Sequence, residues 1–163
     1  MYIKGLKVLG NCSTGISFTD NKNGTVTDNL IKIVWRKNTN CFEMRDWQSA
    51  ILAAKNLEKG DCGPDSDLIL SGGSSAGDWR LLTIKELCTL FDFSGRDPAL
   101  PNGHMFSDVP TGYHWPTTTL NHYPEIAWIV YSKFSAIDMK FKYIVTGKNQ
   151  IEQDSIIVYW RAN

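Results

Sequence analysis

No stretch of this chain is long and apolar enough to cross a bilayer. A membrane-spanning helix needs roughly 18–20 consecutive apolar residues, and nothing among the 163 approaches that. Charge of one sign is missing too: 17 Lys and Arg balance 17 Asp and Glu, and the longest basic run is Arg36-Lys37. Without a basic field to draw a polyanion, a nucleic-acid partner is not expected. The opening "MYIKGLKVLGNCSTG" has lysines but lacks the apolar core of a signal peptide, so residues 1–15 read as a leader or linker remnant.

Catalytic signatures are absent as well. His104, His114 and His122 have neither H-x-x-x-H nor H-E-x-x-H spacing, and neutral surface or loop histidines are the expectation. The Gly-rich "SGGSSAG" lacks the Lys and hydroxyl that would cradle a phosphate, so it reads as a loop. Four cysteines, Cys12, Cys41, Cys62 and Cys88, form no C-x-x-C pair and no zinc spacing. No metal or cofactor is implied. Cys88 lies on an apolar helical stripe and reads as a buried thiol. Cys41 and Cys62 stand in turn-like contexts on either side of one predicted helix, well placed for a disulfide and suggesting an oxidising compartment.

What the chain does have is aromatic residues, 12% of the total with six Trp, in an otherwise ordinary composition that fits one domain. Three β-favouring pieces (16–18, 25–27, 31–35) alternate with the turn clusters Asn21-Lys22-Asn23-Gly24 and Asp28-Asn29, which predicts a three-stranded meander. Asp20, Asn21, Asn23 and Asp28 could also suggest a calcium loop, but Thr19 stands where the first ligand belongs, and turn chemistry is preferred. Trp47, Ala50, Ile51, Ala54 and Leu57 recur at helical spacing behind Asp46 as N-cap, with a stop expected at Lys59-Gly60. Thr83 and Glu86 make a capping box for a second helix carrying Ile84, Leu87, Cys88 and Phe91. Residues 94–110 read as loop. Strands are expected at 112–119, 126–132, 139–145 and 155–161, with "AWIVYS" buried on both faces. Helices segregated from strands make an α+β domain spanning residues 1–163.

The motifs "FTDNKNGTVTDNL", "VW", "AGDWRLLTIKEL", "DPALPNGHMF", "YHWPTTT" and the closing "YWRA" occur in one order. As a set they resemble the Lcl C-terminal domain family, named after a Legionella collagen-like adhesin, over Phe18 to Ala162. The resemblance implies a C-type-lectin-like fold: two helices, a twisted, mostly antiparallel sheet and long loops. It also implies an exported, periplasmic or surface-attached bacterial setting. The namesake's domain is associated with trimerisation and adhesion to sulfated polysaccharide. The family typically has Arg-Leu-Pro-Thr where this chain has Arg80-Leu81-Leu82-Thr83, and Tyr-Trp-Ser-Ser-Thr-Thr where it has His114-Trp115-Pro116-Thr117-Thr118-Thr119. The new Pro116 removes a strand donor, so a bulge or an edge is expected there. The placement of Cys41 and Cys62 matches a subset of the family. Formylglycine-generating enzymes, of a related fold, use a reactive cysteine pair near the C-terminus; here the last cysteine is Cys88, so that activity is not expected.

Asp78, Trp79 and Arg80 raise two readings. Alternation would point Asp78 and Arg80 one way as a ligand clamp, or bury Trp79 as a core rivet while the charged pair ties loops together. The second is preferred, because a buried indole contributes more than an exposed one. Asp78, Trp79, Arg80, Thr83 and Glu86 are thus expected to be structural. Ligand-binding candidates are Tyr113, His114, Trp115, Asn121, His122 and Tyr123, a cluster able to stack on sugars or anchor a protein, with core and loop packing as the competing reading. Sulfate recognition would need a basic patch, available only if trimerisation gathers Lys133, Lys140, Lys142 and Lys148. The expectation is a non-catalytic recognition or adhesion domain for a glycan or protein at a cell surface. The alternative is a structural homo-oligomerisation module of the envelope.

Overall fold

The computed structural model describes residues 17–42, 44–58, 75–92, 97–133 and 136–142, and the backbone of strands at 154–155 and 159–161. The 1–15 leader, Cys12 and Cys62 lie outside the described residues. Among those described, two helices and mostly antiparallel strands form an α+β arrangement.

The first strands are the expected meander, shifted by a residue or two. β1 (Phe18–Asp20), β2 (Thr25–Asp28) and β3 (Ile33–Arg36) pair antiparallel in sequence order. Positive φ falls on Lys22 (56°) and Gly24 (80°), not on Asn23. Asn23 acts through its side chain instead. Its Oδ1 accepts from the Thr25 N–H (3.2 Å) and the Thr25 hydroxyl (2.6 Å), an Asx turn that starts β2. The next turn is built likewise, with Asp28 Oδ1 accepting from the N–H groups of Leu30 (2.8 Å) and Ile31 (3.3 Å).

After the short β4 (Met44–Arg45), α1 runs Trp47–Asn56. Asp46 caps it, accepting from the Ser49 N–H (2.9 Å) and the Ser49 hydroxyl (2.6 Å). The helix ends earlier than the expected Lys59-Gly60. Leu57 leaves the helix with extended dihedrals and is fully buried, so core burial of that side chain sets the stop. β5 (Trp79–Leu81) leads into α2 (Ile84–Leu90). The expected strand at 112–119 is broken into β6 (Tyr113–His114) and β7 (Thr119–Leu120). β6 lies between two other strands, whereas β7 ends the sheet order and its pairing with β8 shifts register between Thr119 and Leu120, so the irregularity expected near Pro116 falls just beyond it. β8 (Tyr123–Tyr131) and β9 (Ala136–Phe141) form the longest pairing. β10 (Asp154–Ser155) and β11 (Tyr159–Arg161) complete two sheets, ordered β1-β2-β3-β11-β5 and β4-β10-β6-β8-β7, with β9 also pairing with β8.

Strand alternation deals successive side chains of β8 to two different cores. Ala127 and Ile129 join a cluster with Trp79, Leu81, Trp115 and the α1-side residues Ala50, Ala54 and Leu57. Val130, flanked by Trp128, joins the α2 cluster of Leu87, Cys88, Leu90 and Phe91 with Val26 and Trp35. β3 splits the same way: Ile33 and Trp35 face the α2 cluster, Val34 the α1 cluster. We therefore expect Ile129→Ala and Leu87→Ala, one in each cluster, each to cost about 2–5 kcal/mol in urea unfolding.

Candidate functional site

The segment Ser75 to Glu86 is a chain of local anchors. The Gly77 N–H donates to the Lys55 carbonyl (2.6 Å) at the end of α1, with φ +97°, which only glycine adopts without strain. Asp78 Oδ2 accepts from the Ser75 N–H at 2.9 Å, closing the turn. Trp79 is 2% exposed and lies in the α1 cluster. Arg80 grips Glu86 in a two-point ion pair, Nη1 to Oε2 at 2.9 Å and Nη2 to Oε1 at 2.8 Å. Glu86 Oε2 also accepts from the Thr83 N–H (2.8 Å), and the Glu86 N–H donates to Thr83 Oγ1 (3.3 Å), completing the capping box. Charge and cap share one carboxylate, and the bonds of this set run inward to the chain itself.

The "YHWPTTT" segment is largely a fastening. The Trp115 indole N–H donates to the Arg45 carbonyl (3.1 Å), while the Trp47 indole N–H donates to the Pro116 carbonyl (2.9 Å). The Thr117 N–H donates to the Leu82 carbonyl (2.7 Å), and Thr118 Oγ1 accepts from the Ile84 N–H at the start of α2 (2.9 Å). The six binding candidates consequently divide. His114 is fully buried and stacks on Phe91, centroids 5.9 Å apart, and Trp115 is 2% exposed, so neither can meet a ligand from solvent. The burial also corrects the expectation of a surface or loop histidine at 114: a short strand between two neighbours turns that ring inward. Tyr113, Asn121, His122 and Tyr123 are exposed.

The order of these motifs and their mutual anchoring point to one family, and comparison with known proteins agrees. The Lcl C-terminal domain family matches residues 24–152, well over half the chain. The chain belongs to that family. No curated protein and no solved structure matches it.

Where this Lcl C-terminal domain departs from the family pattern, the structure shows what the new residues do. Leu82, in place of the usual Pro, is 1% exposed in the α2 cluster, and the capping box beside it is intact. Pro116 keeps a carbonyl available to Trp47 and needs no ladder donor, because the strand is already broken there.

What remains at the surface is an aromatic group assembled by strand register. Tyr113 lies directly opposite Tyr131, their rings stacked at 4.5 Å and 27°. The Lys140 ammonium sits 5.0 Å from the Tyr113 centroid. Tyr131 is not among the binding candidates that the sequence suggests, and Lys140 enters there only as one of the four lysines that trimerisation could gather for sulfate. Tyr131 ends an apolar run that reads as wholly buried, and Lys140 is far along the chain from Tyr113. Only strand pairing brings the three together. Of the other lysines considered, Lys142 lies 4.0 Å from the Trp47 ring, Lys133 is exposed and Lys148 lies outside the described residues.

The titratable groups are mostly committed elsewhere. Hydrogen bonds and charge from Lys22 (2.8 Å) and Lys37 (3.0 Å) hold the Asp20 carboxyl far below the usual range. With two ammonium groups on that carboxylate, the 20–28 loop is a poor cation cradle, and the turn reading accounts for its polar side chains. Burial lowers His104, which stacks on Phe106. Cys88 is a buried free thiol. Among the described residues, no group of three His, Cys, Asp or Glu is arranged to hold a metal, and no helix is long and apolar enough to cross a membrane.

Burial opposes ionisation of Glu86, but the hydrogen bonds from Arg80 and Thr83 outweigh it and hold the carboxyl below its ordinary 4.5. A depressed folded value stabilises above 4.5, and that contribution is lost as pH falls through the folded value. Glu86→Gln is expected to cost about 1–3 kcal/mol at neutral pH. In thermal melts the gap between the variant and the parent should narrow as pH drops below 4.5.

Proposed function

We propose that this Lcl C-terminal domain is a non-catalytic recognition module, C-type-lectin-like in fold, of an exported or surface-attached bacterial protein. It binds a glycan or a protein through its exposed aromatic residues. The observation that carries this reading is the Tyr113–Tyr131 stack with Lys140 at its face. A ring held by a partner ring is a pre-organised platform: it loses little side-chain freedom on stacking against a sugar or an apolar side chain. Asn121, His122 and Tyr123, at the turn into β8, add exposed amide, imidazole and phenol groups; Tyr123 is 56% exposed.

Two observations favour binding over catalysis. The best nucleophile candidate, Cys88, is buried in an apolar cluster, where a thiolate is costly. His114 lies in the core, stacked on Phe91. Two of the four lysines considered for sulfate already lie over aromatic rings, so a neutral glycan or a protein suits the surface better than a sulfated polysaccharide.

On a glycan array and in pull-downs from matrix proteins, the folded domain should retain a ligand. Tyr113→Ala should weaken that binding about tenfold or more, with a loss of about 0.5–1.5 kcal/mol from the broken ring pair and with circular dichroism showing the fold retained. Blank results from a well-folded sample in both assays would overturn the proposal.

Export also implies an oxidised Cys41. Cys41 is not among the free thiols, while Cys62 lies outside the described residues. Peptide mapping under non-reducing conditions should recover Cys41 joined to Cys62, and free thiols at both positions would remove the main support for an oxidising compartment.

A further inference from the structure

The outer edge of β9 is complementary to itself. β9 pairs with β8 on one side only, and among the described residues no strand lies on the other. The Lys142 N–H donates to the Glu125 carbonyl (3.0 Å), so even-numbered residues turn their backbone groups toward β8. Ile137, Met139 and Phe141 therefore turn theirs outward. The Met139 N–H is met locally, by Asp138 Oδ1 at 2.8 Å. The side chains of these three residues make one face of the strand apolar, with Phe141 57% exposed, while Asp138 and Lys140 stand on the other.

We propose that two copies of this chain associate by antiparallel pairing of β9 with β9 across a two-fold axis at Met139. Directly opposed residues in an antiparallel pair share a face, so only registers joining residues of like parity are allowed. The register centred on Met139 pairs Ile137 with Phe141, twice, and Met139 with Met139, all apolar. On the opposite face it sets Asp138 against Lys140, twice. The outward N–H and C=O groups of residues 137, 139 and 141 meet as hydrogen-bonded pairs. The register centred on Asp138 instead opposes two carboxylates, which disfavours it. An edge of this composition, open among the described residues, accepts its own copy better than an arbitrary peptide, because charge and apolar pattern both match under the two-fold. In forming the pair, Asp138 exchanges its Met139 N–H for the second copy's Lys140, and the freed N–H enters the ladder. This proposal stands without the recognition reading above.

The test is sedimentation velocity of the full chain over a wide concentration range, with a charge swap at the edge. The parent should sediment as a reversible dimer. Asp138→Lys opposes like charges twice and should weaken association about tenfold or more. The double change Asp138→Lys with Lys140→Asp restores opposite charges and should restore the dimer. A parent that stays monomeric at the highest concentration overturns the proposal. So does a dimer or trimer indifferent to Asp138→Lys, or a double variant no better than the single one. Far-ultraviolet circular dichroism on each variant separates lost pairing from lost folding.

Discussion

A strand with a helix-backed core on each side has no neutral register, and this condition on β8 organises the molecule. Shifting β8 by one residue would move Ala127 and Ile129 out of the α1 cluster and Val130 out of the α2 cluster at once. The flanking strands inherit that choice. The segment at β6 must place Trp115 on the α1 side, which turns His114 toward Phe91, and β9 must keep Ile137 against the α2 cluster. The stack of exposed Tyr113 on half-buried Tyr131 is thus a product of core packing, set by the register of β6 against β8.

The anchors around α2 show one group serving two purposes. Glu86 is at once the N3 partner of the capping box and the carboxylate that Arg80 grips, so β5 and the helix behind it are joined through one side chain. Thr118 and Thr117 bind the same junction from the opposite sheet. The most recognisable stretch of the chain encodes a joint between layers, in which Arg80 and Glu86 hold one another.

Local chemistry makes much of this legible in the residues alone. The caps at Asp46 and Thr83, the Asx turns at Asn23 and Asp28, and the helical stripes depend on residues within four positions of one another, so spacing reveals them. Trp79 is legible for a related reason, since alternation with two charged neighbours leaves its indole one apolar direction. Register is what spacing does not carry. Arg80 reaches forward to Glu86, Leu57 ends α1 to fill a core that β5 and β8 help build, and Tyr113 finds Tyr131 only through the pairing of β6 with β8. His114 and Trp115 resemble ligand-binding residues in sequence for the same reason. An aromatic cluster in a loop-rich stretch is ambiguous until the strands on both sides of it are known.

The two indole hydrogen bonds between Trp47 and Pro116 and between Trp115 and Arg45 run in opposite directions between the same pair of segments. Such crossed fastenings share a load. A pull that peels α1 from the sheet strains both together, and neither can be unzipped ahead of the other. That arrangement gives the joint between the 45–47 and 115–116 segments a resistance to separation in addition to its burial.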